Sequence, residues 1–415
     1  MQIEPNPTTL RRDLRASLAD GVCYSLMVGV GESYLPAFVL ALGMGEVASG
    51  LVVAAPPIVG AMLQLASPAG VRLLRSQRRW VVACVTAQAL SFLPLAAAAL
   101  AGRIPIAMLF LVAAVYWGSG LAAGPAWNTW MGRIVPAAIR VRFFASRSRW
   151  MQVAQFSGLV AAGAALQAGE RREAALEVFA GLFLAAGTFR FLSSRLLSRQ
   201  SEPPLVLEEQ RRVSLGELFG RLRHGREARL LLYMVALQVG VQMSHPYFAP
   251  YTLGELGFSY AQYMALVAVM FASKAALLPW LGLLAQRFGA VRLLWLAGVC
   301  MVLVPLAWIA GASFGLLVVA QILAGGAWAA YELSQLLLFF ETIHEEERIS
   351  MLTTFNVANS ISMLTGSLAG GAILHGLGKD HGGYMILFAL SAGLRAAAWL
   401  VWARRKAERG IRNPE

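Results

Sequence analysis

Charge is what this sequence has least of. Asp, Glu, Lys and Arg make up 14% of its 415 residues, against about 25% in soluble domains. With 58% hydrophobic residues and a mean hydropathy of +0.61, that scarcity excludes disorder, a coiled coil and an ordinary soluble enzyme. Cysteine is nearly absent. Cys23, Cys84 and Cys300 all fall in apolar runs, which excludes a disulfide scaffold. No HExxH, CxxC or Walker-type motif occurs, so a polytopic membrane enzyme lacks a catalytic signature. Acidic residues number 22 against 35 basic ones, leaving +13. That excess suits a polyanionic partner unless the positions of the charges explain it.

What is abundant is long apolar sequence. A helix needs about 20 apolar residues to cross the hydrocarbon. Twelve stretches qualify: 17–40, 45–66, 80–101, 104–131, 150–168, 174–197, 229–254, 259–281, 293–311, 314–340, 351–374 and 382–403. They are apolar on successive residues, which excludes barrel strands. Arg11, Arg12 and Arg15 precede the first run as they would in a signal peptide. Asp20, Glu32 and the absence of a small-residue cleavage site point instead to a retained helix. Asp20, near the inner end of that run, reads as a helix N-cap.

The basic residues then sort by side. Alternate loops and both termini carry 28 of the 35, the opposite loops carry four, and Arg190, Lys274 and Arg395 lie within spans. The positive-inside rule puts both termini in the cytoplasm, which requires an even number of spans. Topology explains the charge, and nucleic acid drops out as a partner. The longest polar stretch, 198–228, carries an amphipathic helix from Val213 to about Arg226 and suits either the inner leaflet or a solvated connector. It divides the chain into 1–197 and 229–415, with six spans each. The expected fold is an all-α membrane protein of twelve helices in two pseudo-symmetric six-helix bundles, the usual build of a secondary transporter.

Two stretches carry a family resemblance. The run from Gly282 to Arg292 resembles the signature loop of the major facilitator superfamily, G-x-L-A-D-R-x-G-x-[RK]. Gly282, Leu284, Ala285, Arg287 and Gly289 match, Arg292 stands near the final basic position, and Gln286 replaces the Asp. The resemblance makes Gly282, Arg287, Gly289 and Arg292 a gating loop. The corresponding first-half run, Ser67 to Arg79, keeps only the glycine and the basic character. From Trp127, Trp130 and Met131 through Pro136 to Arg140, Phe143, Phe144 and Arg147, the chain is similar to a pattern of a bacterial branch of that superfamily. That likeness implies fold more than substrate. Two marks of proton-coupled drug exporters are missing. Gly158 and Gly163 in span 5 stand without a proline, and span 4 has no arginine before Arg133.

Ionisable groups in hydrocarbon face a partner or a wet cavity by default. Glu32 and His245 stand eight and nine residues from the outer ends of spans 1 and 7, at the helical rise about 12 Å deep. In the superfamily those spans face each other, so the resemblance implies an outer layer that binds a proton or cation. Histidine changes charge near neutral pH. The plainer alternative has Glu32 satisfied by Ser33 or its own backbone, and His245 marking a kink at Pro246. Lys274 and Glu332 lie at matching depth from the inner side and predict a buried ion pair. A snorkelling lysine beside a protonated glutamate is the other reading. Arg190 and Arg395, nearer the inner ends, read as snorkelling.

Aromatic and amide groups concentrate in spans 1, 4, 7, 10 and 11. The candidate substrate contacts are Tyr34, Trp117, Trp127, Asn128, Gln238, Gln242, Tyr247, Trp328, Tyr331, Asn356 and Asn359, with Tyr116 and Gln321 in the same spans. Such walls suit an amphipathic organic solute, and also suit interfacial belts and helix–helix contacts. The acidic run Glu345 to Glu347 reads as a solvated loop, or as a clamp for arginines of another loop. His375, Asp380 and His381 read as a turn beside glycines, with no metal or cofactor expected. The function expected is alternating-access transport of a small organic solute, with a proton as candidate coupling ion. The setting expected is a monomer in a bilayer, the bacterial inner membrane. A membrane enzyme and a transporter-like receptor are the other classes considered.

Overall fold

The computed structural model describes residues 7–44, 52, 56–57, 59–203, 226–378 and 380–410. The expected amphipathic helix from Val213 lies outside the described residues. No strand occurs among those described. The chain forms two compact units, Met1–Arg212 with His344–Val357, and Val213–Ile343 with Ala358–Glu415.

The first unit comprises α1 (Pro7–Val30), α2 (Leu35–Ala41), α3 (Ser67–Leu74), α4 (Gln77–Leu90), α5 (Phe92–Ala101), α6 (Ile106–Ile134), α7 (Ala137–Glu170) and α8 (Ala175–Ser198). α1 packs on α7 and α8, α4 on α6 and α8, and α5 on α8. Small residues allow these approaches, since lipid offers no hydrophobic gain to helix association. A Cβ on Gly158 would sit 3.3 Å from the Cα of Gly29, so α1 and α7 touch backbone to backbone. Phe38, Phe92 and Phe183 fill the apolar core, with Phe38 edge-on to Phe183 at 4.9 Å. The first helix does not run on as one piece. It stops at Val30, passes through a tight turn at Glu32–Tyr34, and restarts at Leu35. Pro36 has no N–H to continue the ladder but suits a first turn.

The second unit comprises α9 (Arg226–Ser244), α10 (Tyr260–Phe288), α11 (Ala290–Ile309), α12 (Phe314–Thr342), the later part of α13 (Glu345–Leu377) and α14 (His381–Gly410). α12 packs on α10 and α11, and α14 packs on α9 and α11. After α9 the helix tightens at His245–Tyr247 and widens at Tyr251–Glu255, where Pro246 and Pro250 interrupt its hydrogen bonding. Ser259 and Gln262 form a reciprocal cap that starts α10. Ser313 caps α12 by accepting from the Leu316 N–H. The run Gly311 to Gly315, though spaced G-x-S-x-G, is therefore a helix start.

Nine helices among the described residues are long and apolar enough to cross a membrane. The expected span 45–66 falls partly outside the described residues, 150–168 lies inside the 34-residue α7, and 229–254 coincides with the interrupted α9 segment. Two expectations need correction. Gly282 is not in a loop, because α10 continues to Phe288 and the corner is Gly289 alone, at φ 86° and ψ 156°. The acidic run is not a solvated loop either. It opens α13, with Glu347 and Arg348 both buried, and carboxylates are favoured at a helix N-terminus. Asp380 does serve a turn, accepting from the Gly383 N–H at 2.8 Å.

Candidate functional site

In the first unit the interruption of the first helix presents Glu32 half-buried. The Tyr116 hydroxyl of α6 donates to its carboxylate, and the Trp117 ring stands edge-on to Tyr116 at 5.6 Å. Glu32 is therefore held neither by Ser33, whose hydroxyl donates to the Val28 carbonyl at 2.9 Å, nor by its own backbone. Deeper in the same unit lies a polar network that runs against three sequence expectations. Asp20 is no helix cap, because α1 begins at Pro7 and Asp20 sits buried within it. Its carboxylate pairs with Arg147 at 3.2 Å and accepts from Ser193 at 2.6 Å. Arg147, expected in a cytoplasmic loop, is buried because α7 starts ten residues earlier, and its guanidinium lies 4.5 Å from the Trp127 ring. Arg190 does not snorkel. It is buried, donates to Gln88 at 2.7 Å and Ser193 at 3.0 Å, and stacks on Tyr24 at 4.8 Å. Arg190 also interacts electrostatically with Glu32.

The other candidates of this unit serve local contacts. Tyr34 donates to the Leu159 carbonyl at 2.6 Å, and Asn128 to Gly124 of its own helix at 3.2 Å. Asn356 belongs to the part of α13 grouped with this unit. It donates to Gln64 at 3.2 Å, and Gln64 in turn donates to the Thr353 carbonyl at 3.1 Å.

In the second unit the interruption after α9 exposes His245, whose ring is edge-on to Trp328 at 6.1 Å. Trp328 is in turn perpendicular to Tyr331 at 6.1 Å. Gln238 and Gln242 are buried on α9, and Tyr247 donates to the Ser367 carbonyl at 2.7 Å. Lys274 of α10 donates to Glu332 of α12 at 2.7 Å, so the two do pair, but the pair is not buried as expected, because the Glu332 side chain is 45% exposed. Asn359 makes only a 3.7 Å contact with Met363 Sδ and does not join Asn356. Arg395 is buried rather than snorkelling, and donates to the carbonyls of Met301 and Val241 and to Ser244. His381 stands against Tyr251 at 3.3 Å, and no group of three or more metal-ligating side chains occurs among the described residues.

Residues 230–415 match the sequence model of the Major Facilitator Superfamily. The match covers just under half of the chain. No curated protein matches it. The fold is similar over nearly the whole length to three solved transporters. A bacterial homologue of the iron transporter ferroportin, in an outward-facing state, has a TM-score of 0.71 at 14% identity, covering 96% of this chain and 99% of its own. FucP, a major facilitator superfamily transporter in the outward conformation, has 0.74 at 12%, covering 94% and 97%. The human organic anion transporter MFSD10 has 0.72 at 14%, covering 96% and 100%. Nine apolar helices of membrane-crossing length among the described residues, together with that partial match, mark the chain as a multi-pass membrane protein. Sequence reading missed Asp20, Arg147, Arg190, Gln88, Ser193 and Gln64. The signal available was that Asp20 and Arg190 need partners wherever they sit in apolar runs, and that α7 could extend back through Arg140.

Proposed function

We propose that this chain is a member of the Major Facilitator Superfamily and a secondary active transporter. It moves a small, amphipathic organic solute by alternating access, with protons as the coupling ion. In this reading twelve spans form two six-helix bundles, 1–197 and 229–415, joined by the linker 198–228. Both termini are cytoplasmic, and the protein works as a monomer in the bacterial inner membrane. The observation that carries the reading is that each unit interrupts its first helix and places an ionisable side chain at the interruption, Glu32 in one and His245 in the other. Discontinuous helices are where transporters build substrate and ion sites. The likeness to solved transporters supports the same class.

Charge balance supports Glu32 as the proton site. In one polar network of the first unit the buried guanidiniums of Arg147 and Arg190 stand with Asp20 and the half-buried Glu32. With Glu32 ionised the four charges of this network cancel. Protonation of Glu32 leaves one cation in excess, which favours a different arrangement around it. Trp117, beside Tyr116, and Trp328 and Tyr331, beside His245, supply aromatic area for the solute, and Gln238, Gln242 and Asn359 supply amides to orient it. Lys274 and Glu332 exchange partners with the solute or a proton during the cycle. Arg287, Gly289 and Arg292 act as the cytoplasmic gate. Uptake of an organic-solute panel into sealed proteoliposomes tests the class. Saturable, gradient-driven uptake is expected, and uptake equal to that of protein-free vesicles for every solute would overturn it.

A further inference from the structure

The second unit holds a cavity of about 240 Å³ between α9, α10, α11, α12 and α14. Its walls are mostly apolar, with Met301, Trp308 and Trp328 among them. Polar groups also line it: His245, Tyr263, Gln321 and Arg395. Arg395 is the unusual member. It is 3% exposed, and it donates to two carbonyls, Met301 at 2.7 Å and Val241 at 3.3 Å, and to the Ser244 hydroxyl at 2.7 Å. None of these partners is an anion, and its buried Nε has no hydrogen-bond partner. No carboxylate among the described residues lies within ion-pairing distance of it. Glu332 is engaged by Lys274.

Two buried guanidiniums of the first unit are treated differently. Arg147 pairs directly with Asp20, and Arg190 reaches the same carboxylate through Ser193. An uncompensated buried cation is strongly unfavourable, and a guanidinium is not relieved by losing its proton. A cavity beside such a cation, with one N–H unspent and a side-chain amide nearby, is an anion receptor.

We propose that the cavity of the second unit binds a small monovalent anion, a halide or a short-chain carboxylate, held by Arg395 and oriented by Gln321. At about 30 Å³ per water, the space exceeds a halide and admits a carboxylate with a few carbons along the Trp308 and Met301 wall. The site lies inside one unit; His245 and Trp328 on its wall also belong to the transport reading, whereas Arg395 and Gln321 do not.

The test is thermal unfolding of the purified full chain at constant ionic strength. HEPES is the bulky reference anion, replaced stepwise by chloride, acetate or butyrate. A saturable rise in Tm is expected for chloride or a short carboxylate, and their rank tells halide from carboxylate. Arg395→Gln removes the dependence on anion. Because that variant also loses contacts to two carbonyls and can fail to fold, Val267→Phe fills the cavity while leaving Arg395 in place. It shifts half-saturation by about tenfold or more. Identical unfolding in all four anions, or a wild-type response in Val267→Phe, overturns the site.

Discussion

The Tyr116 hydroxyl donates to the Glu32 carboxylate across the gap between α6 and the interrupted first helix. A tyrosine in that place does two things. It satisfies a carboxylate that would otherwise sit half-buried without a donor, and it ties the interruption to α6. Tyr116→Phe removes one hydroxyl and keeps the ring that packs against Phe92 at 5.4 Å. Losing a hydrogen bond to a charged group corresponds to about 1.5–3 kcal/mol. The variant is expected to fold, to unfold at a lower temperature, and to transport with altered dependence on the proton gradient. Thermal unfolding and gradient-driven uptake check the two halves of that statement.

Asp20 compensates the cationic cluster of the first unit. Asp20→Asn leaves Arg147 without its carboxylate at a site where the two side chains are 10% and 5% exposed. The expected loss is about 3–5 kcal/mol, read as a fall in Tm or in recovery of monodisperse protein. Adding Arg147→Met removes the stranded charge and recovers a substantial part of the loss. Equal destabilisation in the single and double variants would contradict the pairing.

Lys274 and Glu332 behave differently because Glu332 is half-exposed. A pair with that access to solvent contributes about 1 kcal/mol or less. Lys274→Met and Glu332→Gln are therefore expected to keep near-wild-type Tm while transport falls about tenfold or more, a change of about 1.4 kcal/mol in the barrier. Loss of stability together with intact transport would assign the pair a structural role.

Two corners make opposite predictions. Gly289 turns between α10 and α11 at φ 86° and ψ 156°, a region essentially restricted to glycine, so Gly289→Ala destabilises by about 1–3 kcal/mol. Arg75 ends α3 at φ 49° with its side chain exposed. A left-handed non-glycine residue is strained by about 1–2 kcal/mol, so Arg75→Gly raises stability by up to that amount. Thermal unfolding of both variants decides the sign.

The helices were legible because membrane-crossing runs are long and apolar, a pattern that survives any uncertainty at their ends. Lys274 and Glu332 were legible as partners because opposite charges at matched depth on neighbouring spans have few other solutions. Pro246 announced the interruption at His245. Asp20 was misread because apolarity marks where hydrocarbon begins, while the helix itself starts earlier at Pro7. The same offset placed Arg147 in a loop. Arg190 and Arg395 were misread because depth alone cannot tell a side chain that reaches outward from one aimed at Gln88 or Ser244. Those partners come from other segments, and one sequence carries no record of which helices pack together. Gly282 looked like part of a turn because the signature spacing was read as a loop, and the single residue Gly289 suffices for the corner.

The most direct test of proton-coupled transport is solute-dependent proton movement in sealed proteoliposomes containing wild-type protein or Glu32→Gln. The wild type is expected to accumulate an organic solute against its gradient and to acidify or alkalinise the lumen as it does so. Glu32→Gln is expected to equilibrate the same solute without accumulation and without proton movement. Accumulation and proton flux unchanged in Glu32→Gln would contradict the assignment of Glu32. Solute uptake indifferent to the proton gradient in the wild type would contradict proton coupling itself.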